Sequence, residues 1–372
     1  MVLVFLRFLS ITMIDDIDWI HDSIRTPGQW HNEGEYLRRC DAAFDELKLV
    51  NELVPFHVDG VTLVVVVRNE ERLLPAFFAH YRALGVQVFH VIDNGSVDRT
   101  AAIVREQENA TLWYTESSFR AAGLGGMWVG AIVRRYGLGA WVLHVDADEF
   151  LVYPGMERHD VRSLAATLAR RGQSRCSAPM IDMYADDRSS PGGTFKVVGE
   201  PGKETCDVAP WATVQDLLDR YPYFDSAARG RGYRLVDHGH GMLGLHGGAR
   251  MRMRAQSGWG SEFWIGKTPL IRWHARTAYG NVHVPWPFNE NPRQLQAALL
   301  HFKLTDALPA KIDEALVYRQ HAYRAREYHI MSQLMRTGQL DQIFDPKLSI
   351  RYDSPETLVA DGLIEALPEF TK

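Results

Sequence analysis

A chain of 372 residues, 46% hydrophobic and 23% charged, is long and apolar enough to bury a substantial core, which excludes disorder as its default state. The formal net charge of −5 excludes a nucleic-acid-binding surface, which needs a basic stripe to displace counterions from phosphates. Cys40, Cys176 and Cys206 are too few and too scattered for a disulfide framework or a zinc-ligand spacing, so a reducing, cytoplasmic setting is the expectation.

The first stretch, Met1 to Ile14, is apolar but interrupted by Arg7 and followed by Asp15, Asp16 and Asp18. It lacks a small-residue cleavage site and is too short to span a bilayer. It reads as a core segment or an over-extended start upstream of Met13, with a peripheral contact to the inner face of a membrane as the other reading. Residues 1–58 form a helical preface by this reading, with Pro55 near its end. Val61-Thr-Leu-Val-Val-Val-Val67 is an unbroken β-branched run, suited to a strand buried on both faces of a parallel sheet. Asn69 is the expected cap of the next helix, with Glu70 and Glu71 in its first turn. Leu73, Leu74, Phe77, Phe78, Tyr81 and Leu84 keep helical spacing, and Gly85 stops it.

The pattern repeats with a strand Val88 to Ile92, a turn Asp93-Asn-Gly-Ser96, a helix Val97 to Gln107 and a strand Thr111 to Thr115. A helix ending near Tyr136 and a strand Ala140 to Val145 follow. Such alternation predicts a Rossmann-like α/β fold, a mostly parallel sheet with helices on both faces. Ligands in such folds bind at the carboxyl ends of the strands. Beyond Arg162 the alternation weakens. Arg250-Met-Arg-Met-Arg254 alternates strictly and predicts a strand with three arginines on one face, fit for an anionic acceptor or a diphosphate, or else a solvated edge. From Arg293 to Gly338 the pattern is helical again. The resulting partition is 1–58, 59–160, 161–305 and a helical tail 306–372.

His144-Val-Asp-Ala-Asp-Glu-Phe150 is the strongest local signal. Two carboxylates two residues apart at the end of a buried strand must answer for their desolvation. A hard divalent cation, Mn²⁺ or Mg²⁺, shared with phosphate oxygens is the usual answer. Helix capping or an arginine partner is the competing one. Asp93 either accepts hydrogen bonds from a nucleotide or is turn chemistry alone. Gly123-Leu-Gly-Gly-Met-Trp128 lacks the third glycine of a dinucleotide fingerprint, and Gly125 to Gly130 lacks the lysine of a phosphate loop. No His-Glu-x-x-His zinc motif occurs.

Taken together, Val66-Val-Arg-Asn-Glu70, His80-Tyr-Arg-Ala-Leu-Gly-Val86, Ile92-Asp-Asn-Gly-Ser96, Asp98 with Thr100, and Trp141 through Asp146-Ala-Asp-Glu-Phe-Leu151 resemble the glycosyltransferase family 2-like proteins in order and spacing. More weakly, Lys267-Thr-Pro-Leu-Ile-Arg272, His283-Val-Pro285 and His301-Phe-Lys303 are similar to later landmarks of that group. The resemblance implies a GT-A fold and a UDP- or GDP-linked sugar donor contacted by Arg68, Glu70, Asp93, Asp146 and Lys267. It implies a metal at Asp146 and Asp148, and transfer with inversion to a glycan or other hydroxyl acceptor. The small, apolar stretch Ala121 to Val129 departs from the group's polar, donor-facing residues.

His301, in the apolar run Leu299 to Lys303, is the expected third metal ligand, with His283 as competitor. Candidate bases are Asp182 and Glu262, the latter between Trp259 and Trp264; Asp182 alternatively is a core acid paired with an arginine. A sugar-nucleotide nucleotidyltransferase and a non-catalytic nucleotide- or glycan-binding module are the rival readings. The first ordinarily shows a Gly-rich loop with a basic residue after the first strand, where this chain has Val67-Arg-Asn-Glu70.

Overall fold

A computed structural model describes residues 33–186, 209–230, 233–237, 243–256, 258, 264–281 and 283–370. In chain order the described elements begin with α1 (Glu33–Ala42), β1 (Lys48–Leu49), β2 (Val61–Val67), α2 (Leu74–Ala83), β3 (Val88–Asp93), α3 (Thr100–Arg105), β4 (Ala110–Tyr114), α4 (Gly126–Tyr136), β5 (Trp141–His144), β6 (Glu149–Val152), α5 (Val161–Arg170) and β7 (Arg175–Asp182). Then come α6 (Val214–Arg220), β8 (Tyr223–Asp225), β9 (Arg234–Asp237), β10 (Leu243–His246), α7 (Gly248–Gln256), β11 (Gly266–Arg272), β12 (Ala278–Asn281), β13 (Val284–Trp286), β14 (Ala298–His301), α8 (Leu308–Tyr318), α9 (Ala322–Arg336), β15 (Ser349–Arg351) and α10 (Pro355–Ala360).

Nine strands form one mixed sheet in the order β1-β4-β3-β2-β5-β11-β7-β14-β6. Strands β2, β3, β4, β5, β7 and β14 run one way and β1, β6 and β11 the other. The predicted α/β class and mostly parallel sheet are therefore present. Strand alternation explains the two covered faces: Val61, Leu63, Val65 and Val67 pack with Phe77, Tyr81 and Leu164 of α2 and α5, whereas Val64 packs with Trp128 and Ile132 of α4 and Cys40 of α1. A strand buried on both faces needs such a continuous apolar run. Gly125 caps α4 at φ 81, and a Cβ there would stand 2.9 Å from Val66 Cγ2, so glycine is required where this helix meets the central strand.

Strand β7 divides its pairing. Gly266 and Lys267 of β11 stand opposite its Pro179 and Ala178, while Met180, Ile181 and Asp182 pair with Leu299, Leu300 and His301 of β14. The four residues 145–148 bridge the two pairing zones, carrying the chain from β5 into β6.

Several expectations are corrected. Asn69 does not cap α2: it sits at φ 52, its Oδ1 accepts from Val97 N, and the helix starts at Leu74 with proline in its first turn. Arg250 to Arg254 lies in helix α7 instead of a strand. Ala298–His301 is a strand, not the start of a helix. The preface is not purely helical, because β1 pairs antiparallel with β4 at the sheet edge. The tail likewise contributes β15, paired with β8. Asp98 accepts from Thr100 N at the start of α3. Cys40 and Cys176 are buried. Met1 to Ile14, Cys206, Trp259 and Glu262 lie outside the described residues. No helix among the described residues is long and apolar enough to cross a membrane.

Candidate functional site

The turn that leaves β5 is fixed from inside. Asp146 N donates to Glu149 Oε2 at 2.9 Å, Glu149 N to Asp146 O at 3.1 Å, and Phe302 N to Asp148 O at 2.8 Å. Beneath it Lys267 Nζ stands 2.8 Å from Asp146 Oδ2 and 2.7 Å from Glu149 Oε1. Glu149 is fully buried, and burial pushes its carboxyl up against the opposing pull of Lys267. Burial works against the Lys267 charge too, but Asp146 and Glu149 together hold that ammonium above its ordinary value. Buried acids and cations tolerate low polarity only in such pairs.

Asp148 and Asp146 both face a cavity of about 310 Å³ at the carboxyl ends of β2 and β5. About half of the Asp146 side chain and a quarter of that of Asp148 is exposed. His301 enters the same cavity, its Nε2 3.3 Å from Asp148 Oδ2. Its Nδ1 lies 3.0 Å from Asp182 Oδ1. The register explains this: Asp182, His301 and Glu149 are successive cross-strand neighbours on β7, β14 and β6, and such residues share a face. Burial lowers the imidazole pKa, but Asp148 and the hydrogen bonds to both carboxylates outweigh it and the nearby Arg250, and the group is raised to about 8. The Asp148 and Asp182 carboxyls are correspondingly held low despite burial, Asp148 by His301 and Asp182 by Arg250 and His301.

Asp182 does not line the cavity. Its Oδ1 accepts from Arg250 Nε at 2.8 Å, and Arg250 Nη1 continues to Glu327 Oε1 at 2.6 Å. Both oxygens of Asp182 face Arg250 or His301, so the core-acid reading of this residue, with an arginine partner, describes its surroundings. Arg252 instead pairs with Asp225 at 2.8 Å. A helix turns successive side chains by about 100°, so the three arginines do not present one face.

The structure brings Arg68, Glu70, Asp146, Asp148, His283 and His301 to one cavity wall. It does not bring Asp93 there: that side chain is buried and accepts from Ser96 N at 2.8 Å, while its neighbour Asn94 reaches the cavity. Lys267 also lies behind the cavity wall, under Asp146. His283 Nδ1 is 3.1 Å from Gly266 O.

The remaining wall comes from the tail. Lys311 of α8 lies 2.7 Å from Glu70 Oε1 and also donates to Asn69 O at 2.8 Å. Glu314 holds Arg68 at 3.1 Å, and the Arg68 guanidinium lies 3.9 Å from the Tyr318 ring centroid. Burial pushes Glu70 up to about 7, with Asp148 adding to the rise and Lys311 opposing it. Sequence reasoning missed Glu314, Tyr318, Glu327 and Tyr328. The spacing of Lys311, Glu314 and Tyr318, three then four residues, was the available signal of one helix face.

No protein-family model matches this chain, and no curated protein matches it.

Proposed function

We propose that the chain is a metal-dependent glycosyltransferase of the GT-A type, moving a sugar from a UDP- or GDP-linked donor to a glycan or other hydroxyl acceptor. One observation carries the reading: Asp146 and Asp148 leave the carboxyl end of a parallel strand into a cavity that His301 enters from a distant part of the chain. Open α/β sheets bind ligands at that end.

The residues fit a hard divalent cation. Asp148 and His301 offer carboxylate oxygen and imidazole nitrogen side by side, with Asp146 half exposed beside them, a donor set acceptable to Mn²⁺ or Mg²⁺. Among the described residues no three His, Cys, Asp or Glu side chains form a closed ligand group. Mg²⁺ sites commonly use one or two carboxylates and complete the shell with substrate phosphates and water. When bound, the cation supplies electrostatic stabilisation of the departing diphosphate.

The chain's own residues do the rest. Asp182 holds the His301 ring in place from behind, and Arg250 in turn holds Asp182. Lys267 fixes the Asp146 carboxylate against the strand end. Val66, Phe119 and Leu124 give the cavity an apolar wall. The acceptor hydroxyl needs a carboxylate in reach as proton acceptor. Asp182 is fully engaged outside the cavity, and Glu262 lies outside the described residues.

The test is a panel of nucleotide-sugars assayed for transfer and hydrolysis with and without Mn²⁺. Turnover that requires the ion supports the reading. Tight binding of donor without turnover under any metal would replace it with a binding module.

A further inference from the structure

Among the described residues, the arginine and lysine side chains facing the cavity each touch a carboxylate, with one exception. Arg68 has Glu314 at 3.1 Å and Lys311 has Glu70 at 2.7 Å, while Arg250 behind the wall holds both Asp182 and Glu327. Lys303 also lines the cavity, yet among the described residues no carboxylate oxygen lies within 4.0 Å of its Nζ.

What holds Lys303 instead is an aromatic face. Its Nζ stands 4.6 Å from the ring centroid of Tyr328, a nearly buried residue of α9 whose ring packs 4.6 Å from that of His321. The backbone fixes the other end, since Phe302 N donates to Asp148 O, so Lys303 is anchored beside the acidic turn. A π face steers an ammonium but satisfies none of its three N–H donors. The nearby acids are committed elsewhere, Asp148 to His301 and Glu327 to Arg250. Asp148 and Glu327 favour the Lys303 charge through space, but among the described residues no carboxylate oxygen reaches its N–H groups, which an incoming anion can satisfy.

We propose that Lys303, steered by Tyr328, receives a phosphate oxygen of the ligand's diphosphate without help from metal, which makes the α8–α9 hairpin part of the ligand site. The inference rests on reading the cavity as a nucleotide-sugar site and adds a recognition element from the tail. Phosphate charge is the better match to a single ammonium beside two acids, because a diphosphate brings enough negative charge to keep Lys303 and a divalent ion engaged together.

The test is calorimetric titration of the full chain with inorganic pyrophosphate in EDTA, beside a parallel titration with glucuronate. Wild type binds pyrophosphate, Lys303→Met weakens it roughly tenfold or more, Lys303→Arg retains most affinity, and Tyr328→Leu loses more than Tyr328→Phe. Unchanged affinity in a folded Lys303→Met, no pyrophosphate binding by wild type, or preference for glucuronate would each overturn the proposal. Pyrophosphate binding through Lys303 in a protein that turns over no nucleotide-sugar would leave this anchor standing and sink the transferase reading instead.

Discussion

Asp182 Oδ1 stands 3.0 Å from Nδ1 of His301, and the two residues are direct neighbours on parallel strands β7 and β14. A carboxylate that accepts a hydrogen bond from Nδ1–H leaves Nε2 facing Asp148 and the cavity, the arrangement that orients histidine ligands in metal sites. Asp182→Asn should therefore weaken Mn²⁺ binding by roughly 10- to 100-fold, read from the free-ion electron paramagnetic resonance signal. If Asp182 were the base, Asp182→Asn would abolish turnover and leave Mn²⁺ affinity untouched.

Lys267 tests a different kind of dependence. Its ammonium is 3% exposed and bonds Asp146 and Glu149, so removing it strands the buried Glu149 carboxylate beside Asp146. Lys267→Met should cost about 3–5 kcal/mol of stability, measured by urea unfolding. A loss of donor affinity with stability within about 0.5 kcal/mol of wild type would return Lys267 to the role of a direct donor contact.

Much of this was legible in the sequence where local pattern and tertiary environment agree. The run Val61 to Val67 has a single comfortable home, a strand covered on both faces, and it sits there. The Asp-x-Asp turn followed from the cost of placing acids at a buried strand end. The failures are cases where distant partners decide. Arg250-Met-Arg-Met-Arg254 alternates like a strand, but Asp182, Glu327 and Asp225 bind its arginines from other elements, and the helix lets them do so. Leu299-Leu-His301 is too short for periodicity to separate strand from helix; pairing with both β6 and β7 settles it. Lys303 falls within the weak landmark His301-Phe-Lys303, but what distinguishes its surroundings is a tyrosine 25 positions later, which no local pattern announces.

A ligand that binds only the folded state raises the melting temperature in proportion to the logarithm of its saturation. With Mn²⁺ and a nucleoside diphosphate together, the rise should exceed the sum of the rises with each alone, since each contributes charge that the other needs in the cavity. Melting followed by differential scanning fluorimetry reads this directly. Equal shifts for the diphosphate in Mn²⁺ and in EDTA would remove the metal from the site.

The acid limb of stability should be set partly by imidazoles remote from the cavity. His80 is buried with Nε2 2.9 Å from Leu151 O, and His90 is fully buried with Nδ1 accepting from Trp113 Nε1. Burial pulls both down from 6.5 to about 4. The folded state therefore refuses a proton that the unfolded chain accepts below pH 6.5, and stability is lost as pH falls from there towards 4. Glu70 acts in the opposite sense. Its carboxyl is raised from 4.5 to about 7, chiefly by burial, so its contribution is complete below 4.5 and is lost as pH rises through 7. Differences between variant and wild-type slopes cancel every other titrating group. In urea unfolding between pH 5 and 6, His80→Gln should lower the slope of stability against pH by about 1.4 kcal/mol per unit. Glu70→Gln should raise it by a comparable amount, about 1 kcal/mol per unit once its partial exposure is discounted. An unchanged slope in His80→Gln would mean that this imidazole keeps its proton in the folded state, and a lowered slope in Glu70→Gln would mean that Lys311 outweighs burial at the cavity wall.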